Sequence, residues 1–419
     1  MNTVLKVRLS PTPTIDAEAP PLLSPQGPHV VLGGGQLGEL ATPVVPSAHT
    51  MFGPRGTCLL QKTTAHVALW VADTGHHRLL GWRHCPTQDG TPADWVIGQP
   101  DFAHEGRNAK RPVSDNTLNV PTGLCQCGSG LAVADAWNHR VLVWWHAPQD
   151  SHVPPDVVLG QADFSQGEAN RGGAPQADTL FWPYGLMWDG ACLWVADTGN
   201  RRVLMWQGLP QQHGESAALV LGQTDFSRRD ENGGGDAGAR SMRWPHGLAC
   251  WRGGLAVADA GNNRIMIWRR SPHENNQPCD ALYGQTDMSQ VDHNRARYWP
   301  DAASLNMPYG LCATSRTLLV ADTANSRLLG WDHSAWLCGA PATRVSGQAG
   351  FAAKGDNRWQ MPVRDSLCWP YGIHVGCSES DALGNHTDQH AEYGKETLAV
   401  IADSGNNRVV LWALAEGVA

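Results

Sequence analysis

The stretch LWVADTGNRRVLMW at Leu193–Trp206 constrains this chain more than any other, because the chain writes it six times. One copy reads as a β-hairpin. Leu193, Trp194 and Val195 favour a strand, as do Val203 to Trp206, and the residues between them are turn chemistry. The Asp197 carboxylate can accept from backbone amides of the turn, and Gly199 and Asn200 tolerate positive φ. The other copies are Leu69–Trp82, Leu131–Trp144, Leu255–Trp268, Leu318–Trp331 and Ala399–Trp412. Their Asp falls at 73, 135, 197, 259, 322 and 403, in steps of 62, 62, 62, 63 and 81 residues. Each is followed by an Arg five positions on, and a Trp closes the copy four positions later.

Two further signals keep the same period. P-x-G precedes every hairpin, at Pro54, Pro121, Pro183, Pro245, Pro308 and Pro370. A short apolar strand ending in G-Q follows the first five, with its glutamine at Gln99, Gln161, Gln223, Gln285 and Gln348. One unit therefore reads as strand a after P-x-G, strands b and c as the hairpin, and strand d into G-Q. Four antiparallel strands repeated radially describe a β-propeller blade.

The ends set the count. After Trp412 the sixth unit has no strand d, while His29–Gln36 is a strand d with no unit before it, Gln36 lying in register with Gln99. The N-terminal strand is expected to complete the last blade and close the ring, which removes exposed sheet edges. The prediction is one all-β domain over 29–419, a six-bladed propeller, after a loose Pro-rich leader at 1–28.

Composition agrees and narrows the function. Gly (46) and Pro (28) are plentiful and charged residues make up only 17% of the 419, as suits a turn-rich β chain. A net charge of −8 argues against wholesale nucleic-acid binding. Eleven Cys is an odd number without framework spacing, so reduced thiols and a cytoplasmic location are expected. No apolar run is long enough for a membrane span, and no membrane partner is expected.

These repeats resemble the NHL family, whose pattern is P-x-G-[apolar] followed by [apolar]-V-A-D-x-x-N-x-R-[apolar]. The likeness covers 29–412 and is fullest in VADTGNRR (Val195–Arg202) and VADAGNNR (Val257–Arg264); His76 replaces the usual Asn in the first copy, and Ile401 the Val in the sixth. The resemblance implies the propeller fold. Its members include RNA binders, protein-interaction modules, sensor domains and a few lyases.

Antiparallel order puts the b–c turns and the d-to-a loops on one face, the top. Five of those loops are long and rich in Arg and aromatics, and such loops are commonly functional. The middle residue of P-x-G enters the innermost strand near the channel mouth, giving a ring of Arg55, Thr122, Tyr184, His246, Tyr309 and Tyr371. Aromatic and Arg side chains are the ones that anchor partners. Trp299 and Trp359, mid-loop, join the candidate surface; Trp182, Trp244 and Trp369, beside their prolines, read either as inter-blade packing or as part of it. The residue before each hairpin Arg also varies: His77, His139, Arg201, Asn263, Ser326 and Asn407. His77, His139 and Arg201 are therefore candidates too.

What repeats in every copy serves the blade, so the Asp–Arg pairs and closing Trp read as structural. Cys58, Cys125, Met187, Ala249, Cys312 and His374, four residues past each P-x-G proline, could ligate a metal in the channel, but strand-a side chains are expected between blades. The insertion Gly376–Thr397, with His386, Asp388 and His390, reads as a solvated loop between strands a and b. The expected function is a non-catalytic binding or scaffold propeller, a monomer without cofactor or metal, that docks a protein or small ligand on its top face. The rival is a metal-dependent lyase or hydrolase at the channel mouth, with His246, Tyr184, Tyr309, Tyr371 and Arg55 as its residues; RNA ranks below protein as a partner.

Overall fold

The computed structural model describes residues 19–34, 44–63, 66–332, 336–377 and 397–419. Gln36 and the histidines of the blade-six insertion lie outside that set. Six four-stranded antiparallel sheets are arranged so that each innermost strand abuts those of the two neighbouring blades, the sixth meeting the first. Blade three shows the unit: strand a (Pro183–Trp188), b (Cys192–Asp197), c (Arg202–Gln207) and d (Leu219–Leu221). Val30–Gly33 pairs with Arg408–Ala413 as the outer strand of blade six, so the ring closes with a strand from each end. The fold is the one expected.

P-x-G differs in detail from a turn placed ahead of the strand. In five blades its proline already pairs with the hairpin Asp, and the register then slips: Pro183 faces Asp197, but Leu186 faces Val195. Three steps on strand a against two on strand b make a β-bulge, which re-aims the middle residue. The glycine is demanded by its neighbour. A Cβ on Gly185 would sit 1.8 Å from the His246 carbonyl oxygen, and one on Gly372 would sit 2.2 Å from that of Arg55. Backbone meets backbone around the axis, which crowds the six middle residues together.

The blade core is apolar and shared. Leu124 of blade two packs with Cys58 and Leu60 of blade one, and Leu186 of blade three with Cys125 of blade two. These cysteines thus sit between blades, as small apolar residues do. The closing Trp residues are buried and each donates its indole N–H to a loop carbonyl nine residues on, Trp206 to Glu215 at 2.8 Å for example. Trp412 donates to the Ser24 carbonyl at 2.7 Å instead. The segment before the first strand is accordingly part of the core: Leu22 and Leu23 are buried between blades five and six, and their N–H groups reach Ser346 Oγ. The looseness expected of the leader does not extend to these residues.

The Asp–Arg pairs are fully buried, with Arg140 Nε 2.8 Å from Asp135. Asp197 does not bond the backbone amides of its own turn, contrary to the sequence expectation; it accepts from the Phe181 N–H, the Asn200 side-chain amide Nδ2 and Arg202 Nε. Arg140 spends its remaining donors on Phe164 in the loop leaving its blade and on Ser114 and Thr117 in the loop entering it. One guanidinium thereby staples two consecutive loops, satisfying groups that would be costly to bury unpaired.

The long top loops are themselves regular. Each carries an Asn nine residues after the G-Q glutamine, namely Asn108, Asn170, Asn232, Asn294 and Asn357, held in the left-handed region with φ of 48–51°. Its amide pairs reciprocally with the hairpin Asn of the next blade, as Asn170 does with Asn200 at 2.8 and 3.0 Å. Much of their length therefore does structural work.

Candidate functional site

The bulged P-x-G residues meet on the axis as a continuous floor. Ring centroids are 4.8 Å apart for Tyr184–His246, 4.5 Å for His246–Tyr309 and 4.5 Å for Tyr309–Tyr371. Arg55 completes the circle, its guanidinium carbon 4.8 Å from the Tyr371 ring centre and 6.0 Å from that of Tyr184. It reaches Tyr184 across Thr122, the one small residue of the six, whose hydroxyl is turned away to the Tyr184 carbonyl at 3.1 Å.

Above this floor opens a cup of about 830 Å³. Its walls are residues just before four of the six prolines and residues of the b–c turns: Phe52, Phe181, Trp182, Trp244 and Trp369 with Thr198, Arg201 and Thr323. The choice the sequence left open for the three Trp is resolved toward the surface, since Trp182, Trp244 and Trp369 are 40%, 39% and 56% exposed. An aromatic shelf runs outward from Trp182, which stacks on Trp137 at 6.3 Å, and Arg107 lies 5.0 Å over that ring. A cavity of this size, mostly apolar with few polar groups, has the dimensions of a small-molecule site.

Electrostatics follow from burial. Burial pushes the His246 imidazole down to about 4, and the Arg55 charge adds to that, so the ring is neutral at pH 7. Its Nδ1 lies 3.0 Å from the Trp244 carbonyl, an atom that only accepts; the proton is therefore assigned to Nδ1 and Nε2 is left as an acceptor. Burial raises Tyr309 and raises Tyr371 well above the ordinary phenol, which keeps both hydroxyls protonated. Among the described residues Arg55 has no carboxylate beside it; its titratable neighbours are the neutral phenols of Tyr371, Tyr184 and Tyr309. No Asp or Glu lines the cup among the described residues.

Of the residues singled out by sequence, the cup gathers Arg55, Tyr184, Arg201, His246, Tyr309 and Tyr371. Trp299 is half-buried away from it, and Trp359, 66% exposed, stands over its own loop at Gly355. His77 and His139 act between blades. Each sits in the left-handed region at the end of its turn, and its Nδ1 accepts from the N–H of the residue preceding the next blade's proline, Val120 at 3.0 Å and Trp182 at 3.2 Å. Asn263, Ser326 and Asn407 do the same for Met307, Trp369 and Gly53. Phe52 was missed by sequence reading; its signal is its position two residues before Pro54, matching Phe181 before Pro183.

His246 is the one imidazole on the lining, and no thiol or carboxylate joins it there among the described residues. Elsewhere among them, no three His, Cys, Asp or Glu side chains converge in a metal-holding group. No described helix is long and apolar enough to cross a membrane.

No family model and no curated protein matches this chain. Solved structures do. One described as a nidogen/laminin complex is 13% identical with a TM-score of 0.37, covering 67% of this chain and 75% of its own. Another, BBS1N in complex with ARL6DN, is 12% identical with a TM-score of 0.40, covering 92% and 99%.

Proposed function

We propose that this chain is an NHL-type propeller of the cytoplasm, working as a binding module that receives its ligand in the central cup on the top face. The single observation behind the reading is the cup itself: about 830 Å³ of aromatic wall over a floor of three Tyr, one His and one Arg. The repeated Asp, Arg and closing Trp side chains find their partners within the fold, whereas these side chains vary between blades and converge. A metal-dependent lyase or hydrolase at His246 would want further imidazole, carboxylate or thiolate ligands around it. The cup supplies tyrosines and an arginine, and the binding reading is the stronger.

The test is affinity selection of small molecules. Purified protein is incubated with a metabolite extract, separated from unbound solutes, and the retained masses are compared with those of a Trp182→Ala/Trp369→Ala variant. Both side chains are exposed, so the variant should keep its Tm. At least one mass should be retained by the parent and depleted about tenfold or more in the variant, as stacking worth roughly 1–3 kcal/mol per ring implies. No retained mass, or equal retention by both proteins, overturns the reading.

A further inference from the structure

Resting on that reading, we infer that the cup selects a flat aromatic ring carrying a carboxylate, with the carboxylate on Arg55 and the ring against the tryptophan walls. Three observations carry this. The first is charge. The protein is −8 overall, yet the lining holds two guanidiniums, Arg55 and Arg201, and no carboxylate among the described residues. A cation shielded from water is ordinarily paired, and among the described residues half-buried Arg55 has only ring faces and a phenol beside it. Its planar fork matches two carboxylate oxygens.

The second is a further cation on the wall. Arg201 gives Nη1 to the Gly199 and Arg229 carbonyls and forms no ion pair with a described residue, so the wall carries a second positive charge without a counter-ion. The third is shape. The ring centroids on the floor stand 4.5–4.8 Å apart, and exposed indoles at Trp182, Trp244 and Trp369 surround the opening. These surfaces reward a flat partner. The neutral His246 Nε2 adds an acceptor for a ring N–H or hydroxyl on such a molecule.

Calorimetric titration with paired probes tests it: benzoate, cinnamate, indole-3-acetate and 2-naphthoate, the primary amide of each, and hexanoate as a ringless acid. At least one aromatic acid should bind about tenfold or more tighter than its amide, from a charge-assisted pair in a shielded site. Hexanoate should bind more weakly than that acid. Arg55→Gln should bring the acid-to-amide ratio to about one, and Arg55→Lys should keep part of the preference; Tm confirms that each variant is folded. Equal binding of acid and amide by the parent, or an undiminished ratio in Arg55→Gln, overturns the inference and leaves the binding cup standing. Should no acid, amide or hexanoate bind at millimolar concentration, both this inference and the small-molecule cup fall. Tight binding only of a peptide ending in an aromatic residue, with every free acid silent, overturns the small-molecule assignment.

Discussion

The backbone N–H of Trp244 turns to the Asp259 carboxylate, 3.2 Å away, because Arg201 in the preceding blade offers it no acceptor. In the other five blades the corresponding N–H is taken by a His, Asn or Ser side chain, and the residue before the proline has φ between 50° and 54°. Trp244 is absent from that left-handed group, and its carbonyl, not that of the residue before it, accepts from the next hairpin turn. Arginine has donors only, so the blade-four loop settles differently and places its indole in its own way on the cup wall.

Replacing that arginine should therefore move Trp244 of the next blade. Arg201→His restores an acceptor, and the Trp244 backbone is expected to swing to a φ near the 50–51° of Trp182 and Trp369. A crystal structure of the variant checks this. An unchanged Trp244 φ would show that the acceptor does not decide the loop.

The axial glycines should tolerate nothing larger. Gly185→Ala puts a methyl 1.8 Å from the His246 carbonyl oxygen, and the floor must open. The expected cost is about 3 kcal/mol, at the upper end for overpacking. Gly238→Ala, whose Cβ would meet nothing within 4 Å, should shift stability by under about 0.5 kcal/mol. Urea unfolding of the two variants side by side is the measurement.

Acid should weaken the propeller before its carboxylates titrate. Burial holds His77, His139, His246 and His374 down at about 4 in the folded chain, against an ordinary 6.5. Between those values the unfolded chain binds more protons, so stability is fully present above pH 6.5 and falls as the pH drops toward 4. Unfolding midpoints at pH 7.5, 6 and 5 should decline in that order. Asn stands naturally at this position in blades four and six, so His139→Asn keeps an acceptor for Trp182 and should flatten part of the slope. A slope identical to the parent's would remove His139 from the account.

The architecture was legible because it is written by repetition. Asp197, Arg202 and Trp206 recur in every unit, and what recurs must serve the unit. The floor was legible for the opposite reason: Arg55, Tyr184, His246, Tyr309 and Tyr371 occupy one position and differ. The remainder failed on geometry that spacing does not reveal. Trp299 and Trp359 lie mid-loop in sequence, yet the loop's left-handed Asn folds it back on the blades, so neither reaches the axis. His77 and His139 vary between copies like binding residues, but the shared requirement is an acceptor atom, which His, Asn and Ser meet alike. Leu22 and Leu23 sit in a Pro-rich stretch whose composition suggests disorder, and their packing against blades five and six is a long-range contact that local composition does not reveal.

A ring assembled from one repeated unit would offer a guest six equivalent orientations. The floor reads Arg55, Thr122, Tyr184, His246, Tyr309, Tyr371 in blade order, and no rotation about the axis maps that series onto itself. Thr122, small and turned aside, stands between Arg55 and its second aromatic neighbour, Tyr184. On the proposed reading, a molecule entering the cup would meet a keyed socket, in which one heading alone sets its charged end on Arg55 and its edge against His246. The symmetry that builds the fold is not carried into the floor.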